Sequence, residues 1–395
     1  MATKVLFVHD GPLYQNKSGD FFGIHYNDKI KARYLMLGDE LTFCMRLRTI
    51  EDGNSSKFSP ISSDHFRFIE FPNFKSIRNY FPNKAKAVKT IEEAVASHDV
   101  VVARMPSASG TIAVKAARKL GKPYLVEFVA CTFDAYWNYN WKGKMIAHYK
   151  LREQQQIIKD CPYVIYVTKE FLQNRYPTTG KSINCSNVEL KDLSEEKLNK
   201  RLEKIAAGVP ETMSLATVAA IDVPYKGQDD VIKAISILKK QGVTVKYHVI
   251  GQGKPDYLKS IAEKHGVTNQ VEIIGALPHE QVFEFLEKID LYIQPSKQEG
   301  LPRALIEAMS VGCPALGART AGIPELLSPE KIFRPGDAGQ IASLIKNFGQ
   351  QEMKAEAQKN FTTAKEYQKD ILFNRRKDFY NLFLKEAVHA NAAKP

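Results

Sequence analysis

Short apolar runs rich in β-branched residues alternate with longer stretches of helical periodicity through the first half of the chain. KVLFV (4–8), LTFCM (41–45), DVVVA (99–103), PYLVEFV (123–129) and YVIYV (163–167) have the near-continuous apolar pattern of strands covered on both faces of a parallel sheet. Between them the periodicity predicts helices over 26–37, 85–97, 109–120, where Gly121 is the stop, and 143–159. The rhythm weakens between 186 and 212, where KDLSEEKLNKRLEKIAAGVP is charged and reads as one surface helix. A second set then begins, with SLATVAAI (214–221), VKYHVIG (245–251), VEIIG (271–275) and DLYIQPS (290–296) as strands and helices near 227–240, 255–265 and 279–288. The tail from 352 to 390 reads as helix, with Phe373, Phe379, Tyr380, Phe383 and Leu384 as its apolar stripe. That is more apolar surface than the second sheet needs, so the tail is expected to cross back to the first domain.

The expected fold is therefore α/β, two Rossmann-like domains facing across a cleft. The expected boundaries are a first domain over 1–188, a linker over 189–212, a second domain over 213–351 and a helical tail over 352–395. Composition agrees: 395 residues at 44% hydrophobic and 25% charged suffice for two cored domains and exclude disorder and small disulfide scaffolds. The cysteines, Cys44, Cys131, Cys161, Cys185 and Cys313, are odd in number and never spaced C-x-x-C, which suggests neither a disulfide framework nor a zinc site and fits a reducing cytosol. The opening MATKVLFVHD is too short for a secretory signal, and no run approaches the ~18 apolar residues of a membrane span. Net charge is +12, and it is uneven: residues 1–188 hold 27 Lys+Arg against 17 Asp+Glu, residues 189–395 hold 29 against 27. A basic first half suits nucleic acid, an anionic membrane surface or an acidic ligand, and charge alone does not choose.

The chemistry concentrates in PSKQEGLPRALIEAMSVGCPALGARTAGIPELL, residues 295–327. A strand ends at Pro295, and Pro302 opens a helix whose core face is Leu305, Ile306 and Met309 and whose stop is Gly312. Glu299 then lies just before a helix start. The N–H groups of Gly300, Leu301 and Arg303, with the positive end of the helix dipole, suit a phosphate or sugar hydroxyls. Glu307, further along the helix, can accept two hydrogen bonds from a vicinal diol such as a ribose. For two isolated glutamates the plainer alternative, one acid for the dipole and one on a solvated face, would win.

The surrounding residues change that balance. Pro295, Ser296, Glu299, Gly300, Pro302, Glu307, Ala308, Met309, Gly312 and Pro314 resemble the Glu-x7-Glu signature of the family-4 retaining glycosyltransferases of the GT-B fold, bacterial surface-polysaccharide type. AGIPELL (321–327) is similar to a later run of that family. The resemblance implies that Glu307 binds the nucleotide ribose and Glu299 contacts the donor sugar. A lysine at a helix start, Lys226 of PYKGQDDVIKAI (224–235), opposes the dipole and calls for an anion, with a lysine reaching into solvent as an equal reading on position alone; the resemblance makes it a pyrophosphate ligand. The family's arginine five residues earlier is replaced by Ile221, so phosphate binding must lean on Lys226, backbone amides or Arg303. Gly251 of VIGQGKPDY resembles the family's G-x-G loop. Ala276 and Leu277 of EIIGALPHE resemble its base-recognising loop, with plain turns as the alternative for both.

In the first domain, GPLYQNKSGDFFG (11–23) reads as a long loop between strand and helix. It resembles in position the loop facing the donor phosphates, with Gly23 nearest the helix. The family's histidine after the fourth strand is replaced by Val129. Arg104, Glu127 and Asp134 are the available acceptor-side polar groups, and an acid–arginine pair inside the sheet end is at least as good a reading of each.

The resemblance implies a retaining glycosyltransferase, using a nucleotide sugar, a UDP-sugar being the expected donor, and a glycan or lipid-linked acceptor in polysaccharide assembly. It implies no metal and no cofactor, and no Asp-x-Asp or His/Asp cluster appears. Nucleic acid is not an expected partner; an anionic membrane surface is a candidate one, through the aromatic and basic residues of 71–89 and the basic helix over 142–159, with core aromatics and a solvated basic helix as an equal reading of the pattern. The expected location is cytoplasmic, with a peripheral position on the inner membrane face as its extension. The rivals are a sugar-nucleotide epimerase of the same fold, a phosphorylase, which would need a pyridoxal-binding lysine whose context is not seen, and a basic RNA-binding protein, which leaves 295–327 unexplained.

Overall fold

The computed structural model describes residues 2–24, 26–50, 58–74, 77–190 and 193–388, apart from the side chains of 77–82. The first sheet contains β1 (Lys4–Gln15), β2 (Phe21–Gly23), β3 (Glu40–Thr49), β4 (Ser59–Ile61), β5 (Phe66–Glu70), β6 (Val100–Met105), β7 (Tyr124–Phe128), β8 (Tyr163–Tyr166) and β9 (Lys181–Asn184). Its parallel strands lie in the order β5-β3-β1-β6-β7-β8-β9. The second sheet contains β10 (Met213–Val218), β11 (Val245–Ile250), β12 (Val271–Gly275), β13 (Leu291–Gln294), β14 (Ala315–Ala318) and β15 (Ile332–Phe333), all parallel, in the order β12-β11-β10-β13-β14-β15. Both sheets reverse direction of growth at their first strand, between β1 and β6 and between β10 and β13. Ligands of such sheets bind beyond the carboxyl ends of the strands at that reversal.

The helices that cover the first sheet are α1 (Asp28–Leu35), α2 (Ile77–Ala96), α3 (Ala108–Lys119), α4 (Thr132–Trp137), α5 (Trp141–Lys159) and α6 (Phe171–Arg175). Helix α7 (Glu195–Ala206) leads into α8 (Gln228–Lys240), α9 (Asp256–Lys264), α10 (His279–Lys288), α11 (Arg303–Ser310) and α12 (Ala338–Lys346) of the second. Local chemistry sets several of their ends: Ser107, Asn140, Ser194 and Asp337 cap α3, α5, α7 and α12, and Gly312, at φ +65°, ends α11. α7 is less exposed than its composition suggests, because Arg201 is buried and donates to the carbonyls of Leu286 and Ile289.

Four expectations need correction. Residues 11–23 do not form a long loop: β1 runs on to Gln15, with an irregular register between Val8 and Pro12, and turns back as β2 in a short antiparallel hairpin. Gly23 is buried there because a Cβ would lie 2.3 Å from the Tyr26 carbonyl oxygen, so its smallness serves packing. The tail is two helices, α13 (Gln350–Lys365) and α14 (Lys369–Phe383), because the chain breaks at 366–368 to change domains. α13 packs on α11 and α7; α14 returns to the first sheet, where Phe379 and Phe383 meet the Tyr163 ring and Arg376 donates to the Ser186 carbonyl. Phe373 of the expected stripe is exposed instead. Finally, Phe71 and Phe74 are core residues, not a surface patch. Lys84, Lys86 and Lys89 are exposed as expected, whereas the side chains of Lys75, Arg78, Tyr80 and Phe81 lie outside the described residues.

Among the described residues no helix is long and apolar enough to cross a membrane. All five cysteines are buried free thiols.

Candidate functional site

The carboxyl ends of β10 and β13 carry the polar cluster. Lys226 lies in a short turn of 3-10 helix, Pro224–Lys226, and Gly227 follows at φ +77°, where a Cβ would meet the Pro295 carbonyl oxygen at 2.2 Å. That close approach brings the Lys226 start of α8 onto the loop leaving β13. Lys226 Nζ lies 2.7 Å from Glu299 Oε1, with both side chains mostly buried. The lysine's anionic partner is thus Glu299. A relay of hydrogen bonds orients the carboxylate from below: Tyr292 OH donates to Gln294 Oε1, at 2.9 Å, and Gln294 Nε2 donates to Ser296 Oγ, at 2.9 Å, and to Glu299 Oε1, at 3.4 Å. Lys297 pairs with Asp230 at 2.7 Å, in the first turn of α8.

Glu307 is mostly buried on α11, and its Oε1 lies 3.2 Å from His279 Nε2 at the start of α10. α11 has Pro302 at its cap position and no side-chain cap, so nothing of its own shields the positive end of the helix. Arg303 is exposed on the first turn and Leu301 is buried. Gly251 is required where β11 ends, since a Cβ would come within 1.8 Å of the Ala219 carbonyl oxygen; its N–H donates to the Gly275 carbonyl at 2.8 Å. Ala276 is exposed and Leu277 half-buried just beyond. Ile221, where the family arginine was expected, is buried among Val231, Ile232 and other residues of the second core. That position supplies packing and no charge.

The first domain meets this cluster through backbone. Gly300 sits so close to the end of β7 that a Cβ would be 2.0 Å from the Val129 carbonyl oxygen, and Cys131 N–H donates to the Glu299 carbonyl at 3.4 Å. Asn138 Nδ2 donates to the Lys297 carbonyl at 2.7 Å. The Glu325 carboxylate accepts the N–H groups of Lys169, Glu170 and Phe171 at 2.7, 3.2 and 2.6 Å. A cavity of about 640 Å³ opens beside it, lined by Lys169, Asn174, Arg319 and Glu325 among others.

Each acceptor-side candidate sits in an acid–arginine pair. Arg104 Nη1 lies 3.7 Å from Glu127 Oε2, and that carboxylate also accepts from Tyr34 OH at 2.8 Å and Tyr380 OH at 3.4 Å. Burial would raise the Glu127 carboxyl, but Arg104, Arg376 and Arg33 outweigh it and hold it below the usual range. Asp134 pairs with Arg175 at 3.1 Å, and burial still lifts its carboxyl above the usual range. The N-terminus of α3 is closed too, by the Asp10 carboxylate accepting Ala108 and Ser109 N–H at 3.0 and 2.9 Å.

Sequence reasoning singled out neither His279 nor the Tyr292–Gln294–Ser296 relay. The Pro-His-Glu after the β12 loop was a signal for the first, while the relay is legible only once β13 and the loop after it are folded. Among the described residues no three His, Cys, Asp or Glu side chains are grouped as metal ligands would be.

Two mostly parallel sheets with facing reversal points and a tail strapped across both are the arrangement of a two-domain GT-B fold. Comparison with known proteins bears this out. Residues 199–366 match the family model "Glycosyl transferases group 1". The chain is 31% identical to protein CapJ of Staphylococcus aureus over 345 residues, 87% of this chain and 85% of that one. It is 31% identical to the amylovoran biosynthesis glycosyltransferase AmsK of Erwinia amylovora over 46% of each chain. In structure it resembles Anabaena HepE, solved with UDP and glucose, with a TM-score of 0.61 over 97% of this chain and 100% of that one at 17% identity. The chain belongs to the group 1 glycosyl transferases.

Proposed function

We propose that this chain transfers a sugar from a nucleoside-diphosphate sugar to a glycan or lipid-linked acceptor during assembly of a bacterial surface polysaccharide. The observation that carries the proposal is the arrangement at the reversal point of the second sheet: Lys226 for a diphosphate, and Glu307 on the adjoining helix for a ribose diol. AmsK, by its name a polysaccharide-biosynthesis enzyme, and HepE, which holds UDP and glucose, support it. UDP is the nucleotide we expect. Glu299 faces the donor sugar in this reading, and Gly251, Ala276 and Leu277 border the base.

The proposed reaction retains anomeric configuration. The bond between the anomeric carbon and the phosphate oxygen breaks, the acceptor oxygen bonds to that carbon from the same face, and the departing phosphate takes the acceptor's proton. Lys226 and the start of α11 stabilise the charge that develops on the diphosphate, which makes a divalent cation unnecessary in this proposal. The chain acts in the cytoplasm, with its first domain toward a membrane-borne acceptor.

A thermal-shift screen against UDP, GDP, ADP and their sugars tests this reading, since a ligand at 100 times its dissociation constant adds about 2.7 kcal/mol. UDP is expected to stabilise the protein, and Glu307→Ala to weaken its binding by about 1–3 kcal/mol. No response to any nucleotide overturns the proposal. Product of inverted configuration, or turnover that EDTA abolishes and Mg2+ restores, would overturn its mechanistic part.

A further inference from the structure

The large apolar side chains that the fold leaves in solvent are not scattered. Of the twelve exposed among the described residues, six lie within thirteen residues of one helical hairpin, α4–α5: Trp137, Tyr139, Trp141, Met145, Ile146 and Tyr149. Tyr139, Trp141, Met145 and Tyr149 are 79%, 67%, 73% and 65% exposed, which no packing role explains. Trp141, Met145 and Tyr149 are four residues apart, so they form one stripe along the outer face of α5. The inner face of the same three turns is Gly143 and Ala147, both buried. A Cβ on Gly143 would lie 2.2 Å from the Tyr136 carbonyl oxygen, so the hairpin is closed tightly on its inside and loaded with aromatic rings on its outside.

The charge around the stripe has one sign. From Ala135 to Arg152 there is no Asp or Glu, but there are Lys142, Lys144, Lys150 and Arg152. Lys142, Lys144 and Lys150 sit over the rings of Trp141, Trp137 and Tyr149 at 5.6, 5.7 and 5.5 Å from their centroids, and Lys150 also pairs with Glu153. Aromatic rings with lysines beside them match the boundary between lipid headgroups and acyl chains, where rings bury and ammonium groups reach anionic phosphates. A protein partner would meet an apolar patch rimmed by both signs more readily than one with no acid across eighteen residues.

We infer that the outer face of the α4–α5 hairpin is a membrane-docking surface that seats the first domain on an anionic lipid bilayer. The inference rests on the proposed membrane-borne acceptor and deepens it, because the first helix of the hairpin, α4, starts and ends against the cleft. α4 begins after Cys131, whose N–H donates to the Glu299 carbonyl, and ends at Asn138, whose side chain donates to the Lys297 carbonyl. A bilayer under α5 therefore lies beside the loop that carries Glu299. The same observation moves the contact away from 71–89, where Phe71 and Phe74 are core residues.

The chain's two tryptophans are Trp137 and Trp141, so its indole fluorescence reports from this surface alone. The full chain is titrated with phosphatidylcholine vesicles with and without phosphatidylglycerol, and emission and sedimentation are followed. Emission is expected to shift to the blue with anionic vesicles and to be quenched by brominated acyl chains. Raising salt weakens the partition, because attraction at the surface is screened over about 8 Å at physiological ionic strength. A Trp141→Ser, Met145→Ser, Tyr149→Ser triple variant keeps Trp137 as reporter and is expected to lose about tenfold or more in partition. Lys142→Glu with Lys144→Glu removes the preference for anionic lipid, each cation contributing about fivefold.

UDP binding is measured on every variant and is expected to be unchanged, which checks folding and separates this inference from the nucleotide reading. Loss of UDP binding in the parent chain overturns that reading and leaves the vesicle result standing. Unshifted emission with both kinds of vesicle overturns the docking surface, as does a blue shift that grows with protein concentration without lipid, which would assign the face to self-association.

Discussion

Gly300 is where the two domains meet backbone to backbone, and adding one methyl group there tests whether their closed arrangement is needed for transfer. A Cβ at Gly300 would lie 2.0 Å from the Val129 carbonyl oxygen and 3.2 Å from Val167 Cγ2. Ordinary contact begins near 3.4 Å, so Gly300→Ala must part the loop from the end of β7 by about 1.4 Å. The obstructing oxygen is backbone, in a residue whose N–H donates to the Met105 carbonyl at 2.8 Å, so no side-chain rotation relieves the clash. Overpacking of this kind costs about 1–3 kcal/mol, and the least costly relief is for the domains to separate. In the proposed function the nucleotide is held by residues of the second domain, whereas transfer needs both domains. Gly300→Ala is therefore expected to lower kcat/KM about tenfold to a hundredfold and to change UDP affinity, read by calorimetry, less than about threefold. Gly339→Ala is the control, since its Cβ would meet only Asp337 Oδ1, at 3.5 Å. Undiminished transfer by Gly300→Ala refutes the reasoning, and an equal loss of UDP affinity would place Gly300 in the nucleotide site instead.

Two other outcomes follow from charge. Lys226→Ala and Glu299→Ala break a mostly buried ion pair, and a double-mutant cycle on thermal stability is expected to give a coupling of about 1–2 kcal/mol in the unliganded protein, falling when UDP is bound because the diphosphate competes for the lysine. A coupling that UDP leaves unchanged would mean that Lys226 is not a phosphate ligand. Glu127 is held below its ordinary value of 4.5 despite burial, so its contribution to stability is present above about pH 4.5 and is lost as pH falls through the lower folded value. Glu127→Gln is expected to cost about 3 kcal/mol at neutral pH and to flatten the acid limb of a denaturation profile; an unchanged acid limb would contradict the assignment.

The alternation of strands and helices was readable because buried parallel strands leave continuous apolar runs, and the 295–327 segment because its residue types and spacings recur together. β2, β4, β5, β9, β14 and β15 were not anticipated. β9 and β15 are only four and two residues long, and β14 falls inside the motif where its ALGA carries little β-branched signal. β5, FRFIE, alternates instead of running continuously, which is the pattern of a strand near the sheet edge. The length of 11–23 was misleading because β1 passes through an irregularity near Gly11 and continues, so residues that look like loop chemistry pair with β3. In the candidate site, Glu299, Glu307 and Lys226 were legible as types at spacings. That Lys226 and Glu299 pair, and that His279 meets Glu307, depends on α8, α10 and α11 converging from points far apart in sequence.

The loop from Pro295 to Leu301 ties these features together. Its Lys297 side chain reaches Asp230 in the second domain while its Lys297 carbonyl accepts from Asn138 in the first. Its Glu299 carboxylate takes Lys226 while the Glu299 carbonyl accepts from Cys131. Each of these two residues thus faces its own domain with its side chain and the other domain with its carbonyl. A rotation that opens the cleft breaks the hydrogen bonds of Asn138 and Cys131 to these two carbonyls and leaves the Lys226–Glu299 and Lys297–Asp230 pairs, which lie within the second domain, in place. In the proposed reading donor binding and the geometry of transfer are then separable: the cluster assigned to the nucleotide lies in the second domain, while the backbone of the loop that carries Glu299 is held against Cys131 and Asn138 of the first.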